Sequence, residues 1–317
     1  MTLRKHLGHP LREYALPLLL LCISIVTTTA IGARFMQNFV NNQPSVVTET
    51  DLWPWPWLLQ HPANFRLGWS FSLTLLFILL THEFGHYIAC RVHGIRATLP
   101  WVLPAPTLSG TAGAVIQIRS RIPGRRALMD VGVYGPLGGY VASLIVIAIG
   151  FCLSHPAPRD ATPALIQFGR PLTLDWVYWL LNRIAPHLVP VGNSFLHITR
   201  HPVLIAGWIG LFITSLNLIP GGQLDGGHIL YAISPRLHRI STLLLPPVLI
   251  ICGVFFWIGW IAWGLILLIP AMRHPRVEAE PTLNRGRKAL GLIALLLFAL
   301  TFSLTPFADS SLLYYLH

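Results

Sequence analysis

The sequence THEFGH at residues 81–86 stands near the end of a long apolar run covering residues 67–89. If that run is a helix, His82 and His86 lie four residues apart on one face, one turn from each other. Two imidazoles so placed can bind one zinc ion, and Glu83 between them can act as a general base on a water molecule. Each ionisable group inside an apolar span costs about 2.5–3.5 kcal/mol on insertion scales, so this grouping indicates a function.

The composition indicates a polytopic membrane protein. Of the 317 residues, 54% are hydrophobic and 10% are charged, whereas soluble domains carry about 25% charged residues. The formal net charge is +11, but the basic residues stand in short clusters between apolar runs. They are typical of topology determinants that meet anionic lipid, and nucleic acid is not expected as a partner. The four cysteines are isolated, so they predict neither a disulfide framework nor a thiolate zinc site.

The predicted fold class is an all-α polytopic membrane protein with about six or seven transmembrane helices. The run at 243–269 is long enough for one tilted span or two shorter ones, and the first apolar run has a signal peptide as its alternative. We expect spans at residues 15–33, 68–90, 127–153, 202–233, 243–269 and 289–307.

Three parts of the chain are expected. Residues 1–66 hold the first span and a Trp- and Pro-rich interfacial loop, residues 67–240 hold the catalytic core, and residues 241–317 hold the C-terminal spans.

A small membrane-associated β-hairpin is expected within residues 95–126, close to the zinc motif. Prolines exclude a helix over 97–104, the segment 114–119 favours a strand, and the glycine-containing segment 109–113 between them predicts a turn. An interfacial loop is the alternative. At membrane depth such a backbone has to be covered by protein or line a cavity, because lipid cannot satisfy its polar groups.

The fourth apolar stretch is interrupted by the sequence NLIPGGQLDGGH at residues 217–228, which supplies a third candidate ligand. Asp225 is the acid that stands beside this helix break, and three protein ligands with an open fourth position define a catalytic zinc site, with one ion per chain. A helix-capping carboxylate is the alternative role for Asp225. Asn217 can donate a hydrogen bond to a developing oxyanion or simply bond between helices. The weaker ligand candidates are His228, Glu278 and Glu280.

The distribution of lysine and arginine predicts the orientation. Most of them lie in segments 1–14, 91–126, 234–240 and 270–288, and the alternating segments hold far fewer. The positive-inside rule then places the N-terminus in the cytoplasm and the zinc motif towards the cytoplasmic side. The assignment requires the chain to cross twice, or to dip and return, between residues 243 and 269. Two crossings are favoured because they keep the basic linker 270–288 inside.

Taken together, these motifs resemble the site-2 protease family of intramembrane zinc metalloproteases. The resemblance is carried by HEFGH at 82–86, GPLG at 135–138, NLIP at 217–220 and LDGG at 224–227. The segment 110–131 is similar to the bacterial and chloroplast branch. The resemblance implies that His82, His86 and Asp225 bind Zn²⁺ and that Glu83 is the catalytic carboxylate.

The resemblance also implies which class of substrate the protein cleaves and in which membrane it lies. We expect a single-pass transmembrane substrate, such as an anti-sigma factor or another membrane-bound regulator, cleaved within or near the bilayer in a bacterial cytoplasmic membrane. The segment 154–200 is too short for the PDZ domain that many bacterial relatives carry. The hairpin, at Val115 and Gln117, is therefore expected to hold an unwound substrate by strand addition.

Two other functions compete with proteolysis. A zinc or ion transporter can use the same ligands along a path, because broken helices at the midplane are typical of transporters. However, Glu83 is needed for hydrolysis and not for transport, and the sequence shows no inverted repeat. A non-catalytic membrane zinc protein is the third possibility, and the intact ligand positions argue against it.

Overall fold

A computed structural model describes residues 10–158, 162–190, 198–272, 274–275, 277 and 283–316, and these residues are mostly helical. The helices are α1 (Pro10–Val40), α2 (Trp55–Gln60), α3 (Trp69–Val92), α4 (Arg125–Leu153), α5 (Leu172–Ile184), α6 (Pro202–Asn217), α7 (Asp225–Ile233), α8 (Pro235–Phe255), α9 (Gly259–Leu268), α10 (Arg285–Thr301) and α11 (Leu312–Leu316). The strands are β1 (Trp101–Pro104), β2 (Thr111–Val115), β3 (His155–Pro156) and β4 (Ile198–Thr199), and they form the antiparallel pairs β1–β2 and β3–β4.

The protein is an integral membrane protein with four helical segments that are long and apolar enough to span a bilayer. They cover Tyr14–Val40, Pro62–Val92, Arg125–Leu153 and Pro235–Phe255. The expected number of six or seven is not confirmed by this criterion, because α6 and α9 have only 16 and 10 residues. At 1.5 Å per residue such helices are shorter than a hydrocarbon core of about 30 Å.

Helices α3, α4 and α6 form the centre of the bundle and approach each other at glycines. A Cβ added at Gly150 of α4 would lie 2.5 Å from the Leu204 Cα of α6. On the facing side, a Cβ at Gly207 of α6 would lie 2.6 Å from the Ile147 Cγ1. Small residues permit this close packing of backbones within a membrane bundle.

The chain reverses within the predicted 243–269 segment. Helix α8 ends at Phe255, and α9 starts at Gly259 and packs back along it. A Cβ at Gly264 would lie 2.8 Å from the Pro246 carbonyl oxygen, so the two helices are in close contact. The linker then returns to the start of α8, where the His274 and His238 rings are 5.2 Å apart. This reversal fits both alternatives for the segment, two crossings or a dip and return, and α8 itself is long enough to span the bilayer.

The expected β-hairpin is present, with a different boundary. Strand β2 begins at Thr111, inside the segment predicted as the turn, and pairs through Val102↔Ala114 and Trp101↔Val115. The turn lies earlier because Gly110, with φ of +75°, closes it by donating its N–H to the Thr107 carbonyl at 2.9 Å. Beyond the strands, the pairing continues as an isolated bridge between Ala97 and Ile118.

Helix α1 holds the hairpin in place. The Ser24 hydroxyl donates to the Val102 carbonyl at 3.0 Å, and the Thr27 hydroxyl donates to the Gly110 carbonyl at 2.7 Å. These bonds satisfy backbone oxygens that lipid could not. The hairpin is therefore anchored to the bundle at both its strand and its turn.

The Trp-rich loop is fixed to α1 by the buried carboxylate of Asp51. The Arg34 Nε donates to its Oδ1 at 2.9 Å, and the backbone N–H of Val47 donates to its Oδ2 at 2.8 Å. Helix α1 continues to Val40, beyond the predicted end at residue 33, and this extra length carries Arg34 and Asn38 to the loop.

We expect Asp51→Asn to lower the free energy of unfolding by about 3 kcal/mol, because it leaves the Arg34 charge unpaired. Burial raises the Asp51 pKa, but hydrogen bonds from Val47, Arg34 and Thr48 lower it more, so it lies below the ordinary value of 3.8. The ionised form therefore stabilises the fold above about pH 4, and this stabilisation is lost at lower pH.

Thermal unfolding in detergent across pH measures both effects, and the difference between wild type and variant should shrink below about pH 4. Asp175→Asn is the matched control, because Asp175 pairs with Arg170 at an exposed position. It should cost no more than about 1 kcal/mol. Equal losses in the two variants would contradict a special role for Asp51.

Candidate metal centre

Three potential ligands from two helices converge in the structure. His82 and His86 lie on α3, and Asp225 is the first residue of α7. The Oδ2 of Asp225 lies 3.2 Å from the His82 Nε2 and 3.3 Å from the His86 Nε2. The three ligand atoms all lie within 4.8 Å of one another. Two imidazoles and one carboxylate are a donor set that zinc prefers, so these residues fit the expected metal.

The backbone of α4 orients one of these histidines. The Nδ1–H of His86 donates to the Val131 carbonyl oxygen at 2.7 Å. A carbonyl can only accept, so this bond fixes the tautomer and leaves Nε2 with its lone pair towards Asp225. The Val131 carbonyl was not identified from the sequence, because any backbone oxygen could have filled this role.

Two glycines of α4 make room for the histidine rings. A Cβ at Gly135 would overlap the His86 ring, and a Cβ at Gly139 would lie 2.8 Å from the His82 Nδ1. The GPLG sequence therefore has a local physical role, because any larger residue at 135 would displace a ligand. Gly85 contributes from α3, since a Cβ there would overlap the Tyr134 backbone.

The Glu83 carboxylate is buried, with only 5% of the residue exposed, and faces a cavity of about 210 Å³. The ligand residues line this cavity, together with Ile116 and Ile118 from the hairpin. The backbone N–H of Ile116 is hydrogen-bonded to the Glu83 side chain. The hairpin and the candidate general base are therefore in direct contact.

Asn217, the last residue of α6, also lines this cavity. Its side-chain Nδ2 lies 3.3 Å from the His82 Nε2, so the amide points to the place where the ligand atoms meet. Asp225 is not the N-cap of α7, because Leu224 occupies that position and Asp225 is the first residue inside the helix. Its carboxylate faces the histidines, which disfavours the capping alternative.

The other residues considered from the sequence lie around this centre. His228 lines the cavity, but its Nδ1 lies 2.8 Å from the His274 Nε2 and it is outside the three-ligand group. Val115 is exposed and lines the cavity. Gln117 uses both backbone groups on Thr98, accepting from its N–H and donating to its hydroxyl, each at 3.0 Å. Glu278 and Glu280 lie outside the described residues.

Polar side chains of α8 form hydrogen bonds with the backbone of the helix break before α7. This role was not predicted from the sequence. The His238 Nε2–H donates to the Gly222 carbonyl at 3.0 Å, and the Ser241 hydroxyl donates to the Pro220 carbonyl. The Thr242 hydroxyl accepts from the Gly222 N–H at 3.4 Å. The spacing of residues 238, 241 and 242 places all three side chains on one face of α8. This pattern can be recognised in the sequence.

Fold and site together define a class: a membrane-embedded protein with a candidate metal centre made by an HExxH motif on α3 and an aspartate on α7. The comparison with family profiles agrees, because Peptidase family M50 matches residues 70–259. The chain belongs to this family, and the resemblance to site-2 proteases is confirmed at that level. Between α4 and α6, the described residues form only α5, a 3₁₀ turn and the two-residue strands.

The chain is also similar to curated plant proteins. It is 30% identical to "Probable zinc metalloprotease EGY1, chloroplastic" of Arabidopsis thaliana, over 94% of this chain and 55% of that protein. It is 27% identical to "Probable zinc metalloprotease EGY2, chloroplastic" of the same plant, over 75% of this chain and 42% of that protein. The chain thus spans about half the length of the curated relatives. Their names are chloroplastic and do not support the expected bacterial membrane.

We expect Gly135→Ala to weaken zinc binding about 10- to 100-fold, because the added methyl group displaces the His86 ring. Zinc content after dialysis against graded chelator concentrations measures the affinity. Gly286→Ala is the matched control, since its nearest neighbouring atom would be 3.9 Å away. Equal zinc retention in both variants would show that the space at Gly135 is not needed.

We expect His238→Leu to weaken zinc binding and to lower stability by about 1–3 kcal/mol, because the buried Gly222 carbonyl loses its donor. His238→Gln keeps an N–H donor and should retain more zinc than the leucine variant. Chelator titration and thermal unfolding separate the two effects. If the wild type and both variants bind zinc with the same affinity, the contact between His238 and Gly222 does not position Asp225.

Proposed function

We propose that the protein is an intramembrane zinc metalloprotease that cleaves membrane-spanning substrates within or near the bilayer. The observation that carries this proposal is the approach of the Asp225 carboxylate to His82 and His86, with Glu83 facing the same cavity. Membership of Peptidase family M50 and the zinc metalloprotease names of the relatives support it. The proposal places the chemistry in residues 67–240, with one Zn²⁺ held by the two histidines and the aspartate.

The side chains around the cavity suit peptide hydrolysis. Bound zinc would lower the pKa of a water molecule to about 7 and polarise the scissile carbonyl. Glu83 takes the proton from the attacking water and delivers it to the leaving amine. The Asn217 amide donates a hydrogen bond to the oxygen on which charge develops.

The hairpin is the proposed holder of an extended substrate. Because the flanking residues Gln117 and Arg119 direct their backbone groups to the Thr98 side, the groups of Ile116 and Ile118 point away from it. Val115, Ile116 and Ile118 line the cavity with Glu83. A substrate strand added at this edge would bring its peptide bonds next to the general base. The substrate itself is proposed as a single-pass membrane protein, for instance an anti-sigma factor or another membrane-bound regulator.

A transporter is the alternative function, and the position of Glu83 disfavours it. Ion transport does not require a carboxylate beside the ligand cluster that faces a strand edge. The proposed membrane arrangement has six or seven crossings, with the N-terminus and the metal centre towards the cytoplasmic side. The basic residues at the end of α3 and at the start of α8 support this orientation.

Glu83→Gln is expected to lower the cleavage rate about 10²–10⁴-fold while zinc is retained, because the amide cannot take a proton from water. The assay uses purified full-length protein in detergent with a single-span model substrate, and zinc is measured on the same samples. Glu49→Gln, which changes an exposed acid in the Trp-rich loop, is the matched control. Cleavage by the Glu83 variant at the wild-type rate would refute the assignment.

Ile118→Pro is expected to abolish most cleavage without loss of zinc, because it removes an N–H from the free edge and leaves the Thr98 bonds in place. Ile118→Val keeps the N–H and should cleave normally. Gln117→Pro is a different test, since it removes the donor to the Thr98 hydroxyl and disturbs the hairpin itself. If Ile118→Pro cleaves like the valine variant, strand addition at this edge is wrong.

A further inference from the structure

A second cavity, of about 520 Å³, lies between the start of α1, the end of α3 and the hairpin segment, and it shares no lining residue with the cavity of the candidate metal centre. Its lining includes Tyr14 near the start of α1, Tyr87 and Arg91 at the end of α3, and Arg96 and Arg119 of the hairpin segment. Three arginines and two tyrosines therefore line one concave surface. No acidic side chain lies among these lining residues.

Two of the three arginines in this cavity are available for a ligand. Among the described residues, the guanidinium groups of Arg91 and Arg96 have no hydrogen-bond or ion-pair partner, although the backbone N–H of Arg96 donates to Ser120. Arginines that only determine the membrane topology could be spread over the surface. Here they share one cavity, and several guanidinium groups around a concave site suit a phosphate or another oxyanion.

The surroundings of the cavity favour a ligand that has an apolar part. Ile88 is 60% exposed, and it lies one turn before Arg91 on the same face of α3. Leu18 is 56% exposed, and it lies one turn after Tyr14 on α1. Tyrosines at this depth are typical of the bilayer interface, where their rings meet lipid headgroups. Polar donors thus lie above apolar surface, as in the contact between a protein and one lipid molecule.

We propose that this cavity binds the headgroup of an anionic lipid, with the acyl chains along Ile88 and Leu18. The headgroup accepts hydrogen bonds from Arg91 and Arg96, and its negative charge offsets the charge of the three arginines. The same cavity includes Thr98, whose backbone N–H pairs with the Gln117 carbonyl. Lipid bound there braces the outer side of the hairpin. Lipid binding at this site does not require the proposed proteolysis to be correct.

The test is a lipid titration of the full-length protein by native mass spectrometry. We expect phosphatidylglycerol to bind, and the variant Arg91→Gln with Arg96→Gln to bind it roughly tenfold or more weakly. The matched control is Arg236→Gln with Arg239→Gln, which removes two exposed arginines near the start of α8, outside this cavity, and should bind as the wild type does. Thermal unfolding verifies that each variant is folded, and the single variants replace the double one if it is not.

Three results would overturn the proposal. The first is equal binding of phosphatidylglycerol by the wild type and the cavity variant. The second is equal binding of phosphatidylcholine, which would show that the charge of the headgroup does not matter. The third is displacement of the lipid by inorganic phosphate at the same concentration, which would indicate a site for a free anion. Cleavage activity is not the readout, so a failed protease assay would leave this result standing.

Discussion

The close approach of α3 and α4 is the constraint on which the rest of the structure depends. Gly85 lets the two backbones meet, and Gly135 and Gly139 provide the space that the two histidine rings occupy. Because the rings are held in this gap, their Nε2 atoms face α7, where Asp225 completes the cluster. A membrane bundle has no hydrophobic force to press its helices together, so small residues at contact points decide how near they can come.

Where helices are interrupted at membrane depth, neighbouring side chains form hydrogen bonds with the backbone groups that lose their helical partners. Residues 218–224 leave backbone groups without helical partners, and His238, Ser241 and Thr242 supply partners from α8. The hairpin is served in the same way by Ser24 and Thr27 of α1. In both places, irregular backbone is tolerated because protein covers it, and the irregular segments are the ones that line the cavity with Glu83.

Much of this organisation could be predicted from the sequence, because the relevant signals are local. The spacing of His82 and His86, the broken helix before Asp225 and the proline-rich hairpin each follow from periodicity and chain breakers. The boundaries were less accurate: β2 starts at Thr111, and α6 and α9 are too short to count as full spans. The Val131 carbonyl and the Gly222 contact depend on which helices become neighbours, and sequence patterns do not specify this.

The hairpin has two faces that differ in their chemistry and border different cavities. On one face, Ile116 and Ile118 border the cavity of the candidate metal centre. On the other face, Arg96 and Arg119 border the second cavity. A two-stranded hairpin is marginally stable by itself in water. Its order near Glu83 therefore depends on the elements that pack against it, and α1 supplies such support through Ser24 and Thr27.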